Sequence, residues 1–111
     1  MFYKAHRIWE KYYGSEQVAV DFAGREIRKS SYGNIFSRYN WDLHHIFPKS
    51  KCGSNDEENL LCVHVLTNRE AADKTSFWAN DQAFEVVLSK RKTRMLGKKV
   101  YRIREKESWL D

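Results

Sequence analysis

The sequence predicts a small α+β fold organised as a single domain over residues 1–111. Three observations predict this class: a length of 111 residues, apolar side chains at helical spacing near the N terminus, and alternating apolar runs further along the chain. A chain of this length forms one modest core. We expect an N-terminal helix, a strand–loop–strand–helix core at about residues 41–74, and additional β-hairpins.

The first third of the chain predicts one helix and one hairpin. Residues 2–13 carry apolar side chains at helical spacing, and the helix is expected to end at Gly14. Residues 17–22 alternate apolar and polar side chains, which predicts a strand with a return strand at 25–29. The polar, glycine-containing stretch 30–40 predicts a loop.

The middle of the chain predicts two strands joined by a polar loop. Residues 41–47 are strand-like, and the single proline, Pro48, is expected to end that strand. Residues 49–58 are rich in turn-forming residues and predict a loop. A second apolar run at 59–66 predicts the partner strand.

A short helix is expected next, at about 68–74. Thr67 is a candidate N-cap, and Glu70, three residues later, completes a capping box. His64, before this helix, is expected to be a structural or surface residue. The C-terminal third predicts three further strands, of which the first two form a hairpin, at 76–79, 83–89 and 98–105.

The composition excludes several classes of protein. No apolar run approaches the length of about 18 residues that a membrane helix requires, and no secretory signal is visible, so a cytoplasmic location is expected. The two cysteines, Cys52 and Cys62, form no CxxC pair, which excludes a four-cysteine zinc site. In the cytoplasm they are expected to be reduced thiols.

The charge is distributed unevenly along the chain. The net charge is +5, but residues 41–75 carry four basic and six acidic groups. Residues 90–106 carry nine basic groups against Glu105 alone. A solvated face is the common role of such a run, whereas a surface that follows nucleic-acid phosphates is the functional alternative.

One segment combines the residue types that metal-assisted hydrolysis requires. His44 and His45 are adjacent in a predicted strand and therefore point to opposite faces. One can bind a metal while the other acts as a base, because a metal occupies the lone pair that a base needs. The following helix can bring Asn68 beside His44. An imidazole and a carboxamide leave positions for water and phosphate, which suits Mg²⁺.

This segment resembles the HNH (ββα-metal) endonuclease family over about residues 41–74. The resemblance includes a loop containing Gly53-Ser54-Asn55-Asp56, an asparagine at Asn59, and a helix-opening Asn68-Arg69 nine residues later. It begins with the paired histidines of the run His44-His45-Ile46-Phe47-Pro48-Lys49-Ser50.

The resemblance implies a role for each matched residue. His44 matches the first metal ligand, His45 the general base, and Asn68 the metal ligand on the helix. Asn59 matches a structural asparagine that braces the loop and the strand carrying the base. Ala72 stands where colicin-type members have a further histidine, so the resemblance implies a two-ligand site for Mg²⁺ or Mn²⁺, less suited to Zn²⁺.

The function implied is a metal-dependent endonuclease that hydrolyses DNA, in a phage, mobile-element or defence context. One alternative is a catalytically silent HNH-fold module that binds nucleic acid or a partner; another is a toxin or an RNase. Because one site makes one nick, we also consider a homodimer or a larger nuclease assembly. Candidate nucleic-acid contacts are Arg69, Lys74, Lys90, Arg91, Lys92, Lys98 and Lys99.

Overall fold

The computed structural model describes residues 2–107, and its mixture of helices and antiparallel sheets confirms the α+β class. The helices are α1 (Phe2–Tyr13), α2 (Val65–Ala71) and α3 (Lys90–Leu96). The strands are β1 (Val18–Val20), β2 (Glu26–Arg28), β3 (Trp41–His45), β4 (Leu60–His64), β5 (Ser76–Ala79), β6 (Gln82–Leu88) and β7 (Tyr101–Glu105). Among these residues, no helix combines the length and apolar character that crossing a membrane requires.

The strands form three antiparallel sheets within the described residues. Two of them are hairpins, β1–β2 and β3–β4, and the third has the order β5–β6–β7. In the β3–β4 hairpin, Trp41 pairs with His64 at the open end and His45 pairs with Leu60 beside the connecting loop. The predicted hairpin near residue 80 is confirmed, and its turn residues Asn80 and Asp81 both have positive φ, as tight hairpin turns require.

Two hydrophobic clusters hold the β3–β4 hairpin and α2 in place. In the first, Trp9 of α1 packs with its neighbours against Trp41 and Cys62 of the hairpin. In the second, Ala71 at the end of α2 packs with Phe77 and Phe84 of the C-terminal sheet. Because α2 is attached to one cluster through β4 and to the other through Ala71, its position relative to β3 is determined at both ends.

The predicted start of the short helix is wrong. The helix begins at Val65, and His64 is its N-cap, with Nδ1 of His64 accepting a hydrogen bond from the Leu66 N–H at 3.0 Å. Thr67 lies inside the helix, fully buried, and Oγ1 of Thr67 accepts a bond from Arg25. Glu70 also pairs with Arg25, so no capping box forms. Both residues of the apparent capping signature therefore contact Arg25, which is distant in the chain, and neither caps the helix.

Helix α3 lies in a segment to which the sequence assigned no element. Ser89 caps it, with Oγ accepting from the Lys92 N–H, and Gly97 ends it with φ of 66°. None of its residues is buried. The helix was missed because its residues are mostly basic and show no apolar periodicity, which is the main sequence signal for a helix.

Candidate functional site

Strand β3 directs its two histidines to different surroundings. His44 is only 4% exposed and faces α2, where its Nδ1–H donates a hydrogen bond to Oδ1 of Asn68 at 2.8 Å. The structure therefore brings together the two residues that the sequence proposed as metal ligands. They meet because α2 starts immediately after β4 and folds back across β3.

Burial controls the protonation of His44. Desolvation lowers the pKa of this imidazole; the hydrogen bond that it donates to Asn68 opposes this shift, and the neighbouring charge of His45 adds to it. The uncharged imidazole is favoured, since burial disfavours the charged form of a histidine. An uncharged ring keeps one nitrogen lone pair, which is the form that ligates metal ions.

His45 is half-buried and points into a separate cleft of about 390 Å³. Its Nε2–H donates a hydrogen bond to Oδ1 of Asn55 at 2.8 Å. Because a carboxamide oxygen can only accept, this bond places the ring proton on Nε2 and leaves the lone pair on Nδ1. The tautomer of His45 is thus set by a side chain from the loop.

Two lysines line the same cleft as His45. Lys4 reaches it from α1, and its Nζ donates to the backbone oxygen of Asn55 at 2.9 Å. Lys49, which follows Pro48, is an exposed part of the lining, and Asp42 adds one carboxylate to it. Because the two lysines outnumber this carboxylate, the cleft beside His45 favours anions.

Asn59 connects the two ends of the loop that follows β3. It is 6% exposed, and its Oδ1 accepts from the Phe47 N–H at 2.9 Å. Its Nδ2 donates to the backbone oxygens of Phe47 at 3.1 Å and Ser54 at 2.8 Å. The buried side chain thus bonds loop backbone groups that no strand partner serves, and it holds the segment that carries His45 and Asn55.

The loop also depends on close backbone packing at Gly53. A Cβ atom at this position would lie 1.9 Å from the backbone oxygen of Phe47, so only glycine fits. The preceding residue, Cys52, adopts φ of 71°, a conformation in which glycine is the usual residue. The tight turn brings the loop back toward β3 before Asn55.

Four of the seven predicted phosphate-contacting residues fall into two groups. Arg69 and Lys74, on and just after α2, are exposed. On the C-terminal sheet, a basic cleft of about 580 Å³ is lined by Lys90, Arg91 and Arg102, among others. Arg69 and Lys74 are close to Asn68 in the chain, whereas the basic cleft contains no residue of the β3–β4 hairpin or of α2.

The remaining predicted contacts have different surroundings. Lys92 is exposed on α3. Lys99 lines a cavity of about 370 Å³ on the outer side of the loop. Lys98 pairs with Asp56 at 2.9 Å and with Glu58 at 3.5 Å, which ties the C-terminal sheet to the loop. Because its charge is already partnered, Lys98 is the weakest of the predicted nucleic-acid contacts.

Several residues of the site were missed by the sequence reading. Asn55 lies in the matched loop, but no role was assigned to it. Lys4 offers no local signal, because it is 51 residues from the Asn55 oxygen that it contacts. Asp21 is buried and accepts bonds from its own turn and from the His64 N–H at 3.0 Å, which positions the start of α2.

The side chains available to a metal ion are few. Residues 2–107 contain no group of three or more His, Cys, Asp or Glu residues arranged as a metal site. Helix α2 ends at Ala71, and Ala72 adopts φ of 49° and ψ of −130°. Position 72 therefore does not continue the helical face that carries Asn68, and the donors that meet there are His44 and Asn68.

The arrangement of hairpin, braced loop and helix agrees with the comparison with known families. The family model described as HNH endonuclease matches residues 22–77, half of the chain, and the chain belongs to this family. The match extends beyond the motif to Arg25 and strand β2, which precede the β3–β4 hairpin. Comparisons with curated proteins and with solved structures found no match.

Proposed function

We propose that the protein is a metal-dependent endonuclease that hydrolyses phosphodiester bonds of DNA. The observation that carries the proposal is the division of the two histidines of β3. His44 meets Asn68, whereas His45 is held by Asn55 through Nε2 and lines a cleft. Family membership supports a nuclease, and the geometry supports these residues as its working parts.

His45 is the proposed general base. With its Nε2–H bonded to Asn55, the Nδ1 lone pair of His45 accepts a proton from a water molecule in the cleft. The water oxygen forms a bond to phosphorus, and the bond from phosphorus to the leaving ester oxygen breaks. Asn55 keeps the ring oriented, and it favours the imidazolium that results. Its oxygen accepts a hydrogen bond from the His45 Nε2–H in both the neutral and the charged ring.

His44 and Asn68 are the proposed metal ligands. One imidazole nitrogen and one carboxamide oxygen fit Mg²⁺ or Mn²⁺, which retain several water ligands, better than structural Zn²⁺. The ion, when bound, neutralises charge on the phosphate and stabilises the leaving oxygen. Burial lowers the pKa of His44 and so favours the uncharged imidazole, and the hydrogen bond to Asn68 keeps the two donors together.

Cations around the site are proposed to hold the substrate. Lys4 and Lys49 line the cleft of His45 and are suited to the phosphate nearest the reacting group. Arg69 and Lys74, on the α2 side, and the basic residues of α3 add contacts to phosphates further along the duplex. These contacts recognise the charge of the phosphates and do not distinguish one base from another. We therefore expect little sequence specificity from the site itself.

Plasmid nicking by purified protein tests the proposal. We expect nicking with Mg²⁺ or Mn²⁺ that EDTA abolishes and that His45→Ala reduces by about 10²–10⁴-fold, the range of general-base catalysis. His6→Gln is the matched control, since it removes a histidine of α1 that lies outside the cleft. Equal nicking by wild type and His45→Ala would exclude His45 as the base.

The same assay separates the remaining alternatives. DNA binding without cleavage under any divalent ion would indicate a catalytically silent module, and preferential cleavage of RNA would indicate an RNase. Parallel reactions with Zn²⁺ test the ion preference. Conversion of nicked to linear plasmid, followed against protein concentration, tests for a homodimer or a larger assembly. A phage or defence role and a cytoplasmic location stay predictions from the sequence.

A further inference from the structure

A second feature, outside the cleavage site, is the pair Ile35–Phe36 in the loop between β2 and β3. Their exposed fractions are 80% and 93%, and Phe36 is the most exposed large apolar residue in the described part of the chain. Single exposed apolar residues are ordinary, but two adjacent ones at a loop tip form a surface that favours a partner.

Internal hydrogen bonds hold this loop tip. Oδ1 of Asn34 accepts from the Phe36 N–H at 3.0 Å, and the Ser37 N–H donates to the Asn34 oxygen at 3.0 Å. The Ser37 hydroxyl donates to that of Ser31 at 2.9 Å. The two apolar side chains are therefore presented on an ordered backbone, and binding through them requires little further ordering.

The loop is attached to the helix that carries a proposed metal ligand. Nε2–H of His64 donates to the Arg38 oxygen at 2.7 Å, and the Val65 N–H donates to the Asn40 oxygen at 3.1 Å. Asn68 follows one turn along the helix. The loop is thus anchored to the first turn of α2, at the end of the β3–β4 hairpin where Trp41 pairs with His64.

The charge around the loop fits a polyanion. Residues 27–41 carry three cations, Arg28, Lys29 and Arg38, and no carboxylate. Arg28 is paired with Glu26 and lies 3.9 Å from the centre of the Tyr39 ring. Arg38, which lines the same surface as Ile35 and Phe36, and Lys29, earlier in the loop, remain to contact phosphates. An apolar protein partner would gain nothing from this charge, whereas duplex DNA would.

We propose that Phe36, supported by Ile35, is a wedge that inserts between base pairs of duplex DNA. This inference rests on the proposed DNA substrate. Apolar side chains flanked by cations are the means by which proteins unstack and kink a duplex. The aromatic ring of Phe36 takes the stacking place of the neighbouring base, while Lys29 and Arg38 contact the backbone.

The test compares binding to a perfect duplex and to the same duplex with one mismatch, in EDTA so that no cleavage occurs. Unstacking costs a few kcal/mol and is easier at a mismatch, so we expect wild type to bind the mismatched duplex about tenfold more tightly. Phe36→Ala should abolish this preference and Phe36→Trp should retain it. Val20→Ala, which removes an apolar side chain that is 57% exposed on β1, should leave the preference unchanged.

Each other outcome overturns the wedge. Equal affinity of wild type for the two duplexes, or an unchanged preference in Phe36→Ala, would exclude insertion and leave the proposed nuclease standing if nicking persists. Absence of any DNA binding together with absence of nicking would overturn both proposals. A change from dimer to monomer in Phe36→Ala by sedimentation, with mismatch preference unchanged, would assign the loop to an interface between two copies of this chain.

Discussion

The hairpin-and-helix core and the C-terminal sheet hold their polar side chains in opposite ways. In the core, His44 and Asn59 are buried, and hydrogen bonds fix the orientation of each side chain. On the C-terminal sheet, the cations of α3 are exposed and none of that helix is buried. Groups of the first kind are suited to chemistry, which requires fixed geometry, whereas groups of the second kind supply charge to a substrate whose register can vary.

The comparison predicts that single substitutions in the core abolish activity and that single substitutions on α3 do not. Asn68→Ala removes one of two proposed metal ligands, and several kcal/mol of charge stabilisation corresponds to a loss of nicking of at least about 100-fold. The measurement is the nicking rate at saturating DNA and metal. A loss of less than tenfold would remove Asn68 from the metal site.

Asn59→Ala tests how much of the core's order depends on one side chain. Three hydrogen bonds between the buried Asn59 side chain and the loop backbone would be lost, so we expect the free energy of unfolding to fall by about 2 kcal/mol. Urea denaturation measures this change. Ser54→Ala serves as the control, because its backbone oxygen, and not its side chain, contacts Asn59. A stable Asn59→Ala variant would refute the bracing role.

Asn55→Ala tests whether the base needs its oriented tautomer. Without the acceptor for Nε2–H, His45 rotates and exchanges tautomers, and we expect the nicking rate to fall about tenfold with DNA affinity unchanged. Asn55→Asp retains an acceptor oxygen and should keep most of the activity. If Asn55→Asp loses as much activity as Asn55→Ala, the contact does not orient the base.

Ala72→Gly and Ala83→Gly make the same substitution in the two regions and should have opposite effects. Ala72 has φ of 49°, which is strained for alanine, so glycine should stabilise the protein by about 1 kcal/mol. Ala83 lies in β6, where glycine should destabilise by about 0.5–1 kcal/mol. The midpoints of thermal unfolding compare the two variants, and a destabilised Ala72→Gly would contradict the strain.

Lys92→Ala should have the smallest effect. Loss of one phosphate contact lowers the slope of log affinity against log salt by about 0.9 and weakens binding by a few-fold. The nicking rate at saturating DNA should not change, because Lys92 lies on α3, outside the core. A slope equal to that of wild type would show that α3 does not contact the duplex backbone.

The local patterns of the sequence predicted much of the fold and that His44 and Asn68 lie side by side. The helix at 2–13, the β3–β4 pairing and the hairpin near residue 80 are confirmed. Residues such as His44 and Asn68 stand in a recognisable order because each must occupy a set place on a strand or helix. The start of α2 was wrong, since Thr67 and Glu70 bond Arg25 from a distant hairpin instead of capping the helix.

Order along the chain determined the class of protein and the types of donor at the site, because strand alternation and motif spacing are local properties. Only the tertiary structure decided which distant groups surround the site residues and how burial changes their pKa. Lys4 reaches Asn55 across 51 residues, and burial lowers the pKa of His44. The exposure of Phe36 likewise depends on how its loop is attached to His64. Such contacts follow from the packing of separate elements, which a single local pattern does not encode.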